Sequence, residues 1–112
     1  MTATLLDGQA LADTLKQEVA TQVKGLDVIP GLGTILVGDD PASHSYVGAK
    51  IRDCAEVGIA SIHEHLPADI QQADLDAVIQ RFNSDPQVHA YIVQLPLPPQ
   101  LNEEAALLAI DP

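Results

Sequence analysis

A largely apolar run at residues 32–37 leads within a few residues into a helix start, and this junction restricts the possible folds more than any other feature. The run lacks the alternation of apolar and polar residues that a half-exposed strand shows, so it predicts a strand covered on both faces. Asp40 then has the short side-chain acceptor that caps a helix, and Pro41 has the backbone angle favoured at the first helical position. The sequence therefore predicts a buried strand that turns sharply into a helix.

The segments on either side of this junction alternate between helical and strand patterns. The predicted elements are, in order, a helix between the cap Asp7 and Gly25, a strand at 32–37, a helix from Pro41 to Gly58, a strand at 59–66, a helix marked by Leu75, Val78, Ile79 and Phe82, a strand at 88–95, and a helix at 103–109 capped by Asn102. The first helix is predicted to be amphipathic. Its inner face is expected to hold Leu11, Leu15, Val19 and Val23, and its outer face Asp13, Lys16, Gln17 and Glu18.

This alternation indicates the α/β class, specifically a three-layer α/β/α domain with a mainly parallel sheet and right-handed crossovers. The 112 residues are enough for one domain, predicted to occupy residues 1–112. Ligands of such sheets bind beyond the carboxyl ends of the strands, here residues 38–39 and 94–96. Lys50 follows the first of these ends by more than two helical turns, so this rule alone does not place it in a site.

The acidic composition narrows the range of partners. Sixteen acidic against five basic residues give a net charge of −11, which argues against nucleic acid or an anionic membrane as a partner.

The single Cys54 permits no internal disulfide and is expected to be a small buried hydrophobe rather than a catalytic thiol. Neither a secretory signal nor an apolar run of membrane-spanning length is present, so a cytoplasmic protein is expected.

Tyr46 and Lys50 lie four residues apart on the predicted helix, so that a phenol and an amine rise from one face. A lysine beside half-buried apolar surface can serve as a base or proton relay. The same spacing also arises when a lysine stem simply lies along a tyrosine ring with its ammonium in water. Short-chain dehydrogenases share the spacing but need a glycine-rich dinucleotide turn upstream, which residues 1–30 lack. Spacing alone therefore leaves the role of the pair open.

Two further patterns have alternative interpretations. His63 and His65 share one face of a predicted strand, a placement that can hold a metal ion. With no third ligand positioned to complete a site, a solvated sheet edge is favoured and no metal is predicted. The prolines at 96, 98 and 99 either only terminate a strand or also hold the Gln94 amide beside a ligand.

Four sequence motifs together indicate a protein family. They are LVGDDPAS at 36–43 followed by Tyr46 and Lys50, VGI at 57–59, FNSD at 82–85, and VQLPLP at 93–98. In this order and spacing, across nearly the whole chain, they resemble the N-terminal catalytic domain of the bifunctional methylenetetrahydrofolate dehydrogenase/methenyltetrahydrofolate cyclohydrolases. The long motifs are highly specific to that family, whereas the Tyr/Lys pair by itself is not.

The resemblance implies three catalytic residues. Lys50 matches the family's catalytic lysine, placed near the one-carbon bridge between N5 and N10 of the folate. Tyr46 matches the tyrosine that packs on and orients the folate, and Gln94 the glutamine that hydrogen-bonds the lysine. The residues expected to bind the substrate are these three together with Val93, Leu95 and Pro96.

The reactions implied are two steps of one-carbon metabolism that also serve purine biosynthesis. In the first, the methylene carbon of 5,10-methylenetetrahydrofolate gives a hydride to NADP, and a neutral Lys50 is expected because a protonated amine would oppose the growing iminium charge. In the second, water attacks the methenyl carbon and 10-formyltetrahydrofolate forms, which requires general acid–base catalysis by Lys50.

The sequence also departs from the family. The family continues after a proline such as Pro112 with Lys-Asp-Val-Asp-Gly, whose aspartate holds the pterin ring, and then with a Rossmann-type NADP domain; neither is in this sequence. Ala90 and Tyr91 also stand where a glycine-led pair is usual. We therefore expect a fragment of a longer homodimeric enzyme, with no cofactor-binding residue of its own and with the surface that faces the missing domain exposed.

In isolation such a fragment is expected to be inactive or to act only as a cyclohydrolase. Two other interpretations stay open at this stage. One is a non-catalytic module that binds folate without chemistry, and the other is a plain α/β interaction domain. The presence of Tyr46, Lys50 and Gln94 together favours the enzyme.

Overall fold

The computed structural model describes residues 2–112 and shows helices and strands in the predicted alternation. The elements of this range are α1 (Gly8–Lys24), β1 (Gly31–Val37), α2 (Pro41–Val57), β2 (Ala60–Leu66), α3 (Gln72–Ser84), β3 (Ala90–Val93) and α4 (Glu103–Ala109).

The three strands form one parallel sheet in the order β2–β1–β3. The apolar run takes the central position, where neighbouring strands cover both edges and helices cover both faces, and all but one residue of β1 is buried. β2 lies at an edge of the sheet and alternates between exposed and half-buried residues. The predicted α/β class with a parallel sheet is confirmed. The solvated sheet edge expected at His63 and His65 is also confirmed, because both residues lie on β2.

Side chains of β1 alternate between the two faces of the sheet. Ile35 and Val37 lie on one face, in a cluster with the buried residues Leu75, Ile79 and Phe82 of α3. The short helix α4 joins this layer through its contacts with α3. Burying side chains of this size stabilises the fold by about 1.5–3 kcal/mol each, so this layer holds most of the apolar stabilisation.

Thr34 and Leu36 are buried on the opposite face of the sheet, toward α2. Val47, Cys54 and Val57 are the buried apolar residues that α2 contributes. The predicted three-layer α/β/α arrangement is thus observed. The prediction that Cys54 is a buried hydrophobe is also confirmed.

Local signals account for the helix ends. Asp40 accepts a hydrogen bond from the Ser43 backbone N–H at 2.9 Å and so caps α2, whose end is formed by Gly58 with φ +89°. Asp7 and Asn102 cap α1 and α4 in the same way. Because caps depend on residues only a few positions apart, these boundaries could be predicted from the sequence.

The last strand is shorter than the predicted range of 88–95. Val88 donates its backbone N–H to Asp85 and is therefore part of a turn, so the strand begins at Ala90. It ends at Val93, three residues before Pro96, which has no N–H to continue a ladder.

The predicted orientation of α1 is wrong for part of the helix. Lys16, expected on the outer face, lies against α2, with its Nζ 2.9 Å from Asp53 Oδ1 and 3.0 Å from Glu56 Oε2. These hydrogen bonds raise the pKa of the Lys16 ammonium, with Asp53 the larger cause. Leu11 and Leu15, expected on the inner face, are 61% and 49% exposed. The contact between the two helices therefore includes these ion pairs, and Leu11 and Leu15 of the apolar stripe lie outside it.

Further large apolar side chains near α1 are exposed, and no part of the described chain covers them. They are Leu5, Leu6, Leu26, Val28 and Ile29.

Among residues 2–112, no helix combines the length and the apolar character that crossing a bilayer requires.

Candidate functional site

The site is built where β1 and β3 end. Gly38 follows β1 with φ +89°, and a Cβ there would lie 3.4 Å from the Ala68 side chain and 3.7 Å from Pro98. Glycine is therefore suited to this turn, because other residues rarely adopt the angle. Its backbone N–H donates to the Leu66 carbonyl at 2.9 Å, which ties the turn to the end of β2. The turn and the segment after β3 thus lie side by side at this rim of the sheet.

Lys50 meets Gln94 at this rim. The side-chain nitrogen Nζ of Lys50 donates to Oε1 of Gln94 over 3.1 Å, although the two residues are 44 positions apart. The same Nζ lies 5.7 Å from the centroid of the Tyr46 ring, which is 59% exposed. The structure therefore brings together all three residues predicted as catalytic, with an accessible aromatic face beside an amine.

The register of the sheet explains how Lys50 reaches a strand end. Ile35 pairs with Val93, the last residue of β3, so β3 stops two residues before β1, which continues to Val37. Two residues of strand correspond to about 6–7 Å. The end of β3 is thus set back along the sheet, and Gln94 faces a position well inside α2 rather than its start. Lys50 follows the end of β1 by more than two helical turns. This offset of β3 and the length of the lysine side chain together allow Lys50 to reach Gln94.

Gln94 is held by several bonds of its own segment. Its backbone N–H donates to the Ile35 carbonyl at 2.9 Å, and its side-chain Nε2 donates to the Leu95 carbonyl at 3.1 Å. The amide nitrogen is therefore occupied, and the amide oxygen Oε1 is the atom presented to Lys50. This arrangement defines which end of the amide faces the amine.

Ser43 is a residue that the sequence analysis missed. It is 1% exposed, and its Oγ donates to the Leu95 carbonyl at 3.4 Å, so it links α2 to the segment after β3. The signal was available: Ser43, Val47 and Lys50 are spaced i, i+4 and i+7, which places them along one face of the helix. Ser43 therefore supports the position of the loop that contains Gln94.

The other predicted substrate-binding residues occupy different environments. The side chain of Val93 is buried in the core cluster, so only its backbone can take part in binding. Leu95 and Pro96 are exposed and are joined by a cis peptide bond. Their side chains are therefore accessible from solvent next to Gln94.

The histidines are grouped differently from the pattern considered in the sequence. His63 lies next to Thr34, with its Nδ1 2.7 Å from the hydroxyl oxygen, and burial followed by the neighbouring His65 lowers the pKa of its imidazole. His65 instead lies near two residues from other segments, Asp39 and His44. This group does not include His63, so among the described residues no third ligand completes the His63–His65 pair that the sequence pattern suggested.

The chain matches a known protein family and several solved structures. A family model described as tetrahydrofolate dehydrogenase/cyclohydrolase, catalytic domain, matches residues 6–112. The chain is 41% identical to the bifunctional methylenetetrahydrofolate dehydrogenase/cyclohydrolase of Campylobacter jejuni, with a TM-score of 0.90 over 96% of this chain and 39% of that one.

Two eukaryotic structures are also similar. The 5,10-methylenetetrahydrofolate dehydrogenase of the silkworm Bombyx mori is 37% identical, with a TM-score of 0.94 over 99% of this chain and 40% of its own. The dehydrogenase-cyclohydrolase of Trypanosoma brucei, solved with an NADP cofactor and an inhibitor, is 35% identical, with a TM-score of 0.95 over 100% of this chain and 40% of its own. The chain thus spans about two-fifths of the length of these structures, and it belongs to the tetrahydrofolate dehydrogenase/cyclohydrolase family, whose catalytic domain it matches.

Proposed function

We propose that this protein acts in folate one-carbon metabolism, on 5,10-methylene- and 5,10-methenyltetrahydrofolate. The reactions are the NADP-linked oxidation of the first compound and the hydrolysis of the second to 10-formyltetrahydrofolate. The observation that carries the proposal is the contact of Lys50 with Gln94 at 3.1 Å beside the exposed ring of Tyr46. Family membership and the enzymes named among the similar structures support it.

Lys50 is the proposed acid–base group of the hydrolysis. Its amine nitrogen lies at the surface rim, where a substrate carbon and a water molecule can approach it, and an amine can accept and return the proton that moves when water attacks. Gln94 positions this amine through its amide oxygen. The half-buried stem of Lys50 limits the conformations that the amine can adopt.

Tyr46 is proposed to bind the flat pterin ring. Its ring is exposed on the same helix face as Lys50 and within 6 Å of the amine nitrogen, so a stacked heterocycle would lie next to the reacting group. The exposed Leu95 and Pro96 would form the opposite wall. A substrate held in this way has its one-carbon bridge directed toward Lys50.

The described residues do not fit an NADP site. The turn from β1 to α2 reads Gly-Asp-Asp-Pro, with two carboxylates where a phosphate-binding turn presents glycines and backbone N–H groups. We therefore propose that residues 1–112 form the catalytic domain and that NADP, the hydride acceptor, is bound by another part of the protein. We also propose that the whole protein is cytoplasmic, forms a homodimer and supplies purine biosynthesis.

The test is the Lys50→Met variant of the intact protein, assayed for hydrolysis of 5,10-methenyltetrahydrofolate. Loss of a general acid–base group typically slows a reaction by about 10²- to 10⁴-fold, and we expect a loss in this range. Lys24→Met, an exposed lysine at the end of α1, is the matched control and should keep full activity. Unchanged turnover in Lys50→Met would reject the role of Lys50.

The same assay separates the enzyme from a non-catalytic folate-binding module. Such a module would bind tetrahydrofolate without accelerating hydrolysis above the rate in buffer. An α/β interaction domain would show neither binding nor turnover. Substrate affinity is therefore measured alongside turnover for the unaltered protein.

A further inference from the structure

Three potential metal ligands from three segments converge at the same rim of the sheet but outside the Lys50–Gln94 contact. Asp39 lies in the turn after β1, His44 in the first turn of α2, and His65 near the end of β2. One ligand atom from each lies within 4.8 Å of the other two. The three residues are up to 26 positions apart in sequence, so their convergence is a property of the fold.

The distances from Asp39 to the two histidines suit a single small cation. The Nε2 atoms of His44 and His65 each lie 3.7 Å from Oδ1 of Asp39. Ligands bound at about 2.0–2.1 Å to one ion lie roughly 3–4 Å from each other. The carboxylate oxygen is too far from both imidazoles for a hydrogen bond and is therefore not already committed to either ring.

Neighbouring groups hold the two rings in place. The His44 ring packs edge-on against His65, with centroids 4.9 Å apart and an interplanar angle of 85°. Nε2 of His65 lies 2.8 Å from the carbonyl oxygen of Gly38, to which it must donate a proton because a carbonyl only accepts. An ion bound at Nε2 would have to replace this proton, and the Gly38 oxygen would then lie close to it.

We propose that Asp39, His44 and His65 form a binding site for Zn²⁺ or a similar divalent transition metal. Two imidazole nitrogens and one carboxylate oxygen match the ligands of such ions, whereas Mg²⁺ and Ca²⁺ require mainly oxygen. The carboxylate of Asp40 at the start of α2 adds negative charge, which offsets the positive end of the helix dipole. The side chain of Asp39 is 85% exposed, so an ion can enter from solvent.

The bound ion would join the β1–α2 turn to the end of β2. These segments are already connected at this point by the hydrogen bond from the Gly38 N–H to the Leu66 carbonyl and by the contact of His65 Nε2 with the Gly38 carbonyl. The site is separate from the proposed folate site because it shares none of the residues assigned there. Failure of one proposal therefore leaves the other unaffected.

The experiment measures Zn²⁺ binding to the intact protein by competition with a chromogenic chelator, and the visible spectrum of bound Co²⁺. We expect one ion per chain, and an affinity reduced about tenfold or more in Asp39→Asn and in His44→Gln. Glu104→Gln, which removes an exposed carboxylate on α4, is the charge-matched control for Asp39→Asn and should leave the affinity unchanged.

His63→Gln is the second control, because the His63 ring stacks near His65, with centroids 6.4 Å apart, but His63 lies outside the cluster. Its affinity should stay within about twofold of the unaltered protein. A strong loss in this variant would move the site to the strand pair and overturn the assignment. The absence of stoichiometric binding would overturn it as well, and so would affinities in Asp39→Asn and His44→Gln that equal that of the unaltered protein.

Discussion

Replacing Gln94 with leucine tests whether the amide acts on the lysine. The substitution keeps the side-chain length similar and removes the oxygen that accepts from Nζ of Lys50 at 3.1 Å. The backbone bond from Gln94 to Ile35 stays intact, and the Leu95 carbonyl still accepts from Ser43. The fold is therefore expected to persist while the amine loses its only side-chain hydrogen-bond partner within the described residues.

The expected magnitude follows from that single bond. A hydrogen bond of this kind contributes about 1–3 kcal/mol, which corresponds to about 5- to 150-fold in rate if it positions the reacting amine. We expect kcat for methenyltetrahydrofolate hydrolysis to fall within that range and KM to change less, because Tyr46 still provides the binding surface. Gln94→Glu retains an acceptor oxygen at the same place. It should therefore keep the hydrogen bond from the Lys50 amine, although it replaces the neutral amide with a carboxylate.

The assay is steady-state hydrolysis followed by the loss of methenyl absorbance, with thermal unfolding as the check on folding. Gln17→Leu, an exposed glutamine on α1, is the matched control and should behave as the unaltered protein. A Gln94→Leu protein that is folded and retains kcat within about twofold would refute the positioning role, since a bond this short would then contribute nothing to the reaction.

Three further predictions concern stability. Gly33→Ala should cost about 1–3 kcal/mol, because the new Cβ would lie 2.7 Å from the Phe82 ring, and urea unfolding measures this loss. Asp40→Ala should cost about 0.5–2 kcal/mol through loss of the α2 cap, measured in the same way. Burial, and secondarily Asp111, raises the pKa of Tyr91 above its ordinary 10.0. The neutral Tyr91 side chain therefore contributes stability that is present below pH 10 and is lost as pH rises through the native pKa. In Tyr91→Phe the decline in stability from about pH 9 to about pH 11 should be shallower.

The glycine and aspartate substitutions each have a control within the chain. Gly48→Ala introduces a Cβ whose nearest neighbour is the flexible end of Arg52 at 3.3 Å, and it should be stabilising by up to about 1 kcal/mol. Asp27→Ala removes an exposed aspartate that caps no helix and should be neutral. An unchanged urea midpoint for Gly33→Ala or Asp40→Ala would contradict the packing and capping arguments, and a pH dependence identical to that of the unaltered protein would contradict the argument for Tyr91.

Much of the fold could be predicted because its signals are local. The caps Asp7, Asp40 and Asn102 and the helix end at Gly58 act over a few residues, and all four lie where the sequence placed them. The apolar run of β1 likewise predicted a central, covered strand. The family motifs indicated the α/β class and the trio of site residues independently of any packing detail.

The orientation of α1 could not be predicted in this way. Its apolar stripe suggested one inner face, but the observed contact includes Lys16, paired with two carboxylates on a helix about 40 residues later in the chain, while Leu11 and Leu15 are exposed. A hydrophobic pattern predicts which residues can be buried, and only the partner element decides which of them are.

The sequence by itself determined the order and type of the elements and the residues available for chemistry, because propensity, capping and hydrophobic period are properties of short segments. The tertiary structure decided which of those residues meet. The pairing of Ile35 with Val93 sets back the end of β3 and brings Gln94 to Lys50, while the turn at Gly38 brings Asp39 and His44 to His65. Register between strands and approach between helices depend on contacts many residues apart, so the geometry of both sites appears only when the chain is folded.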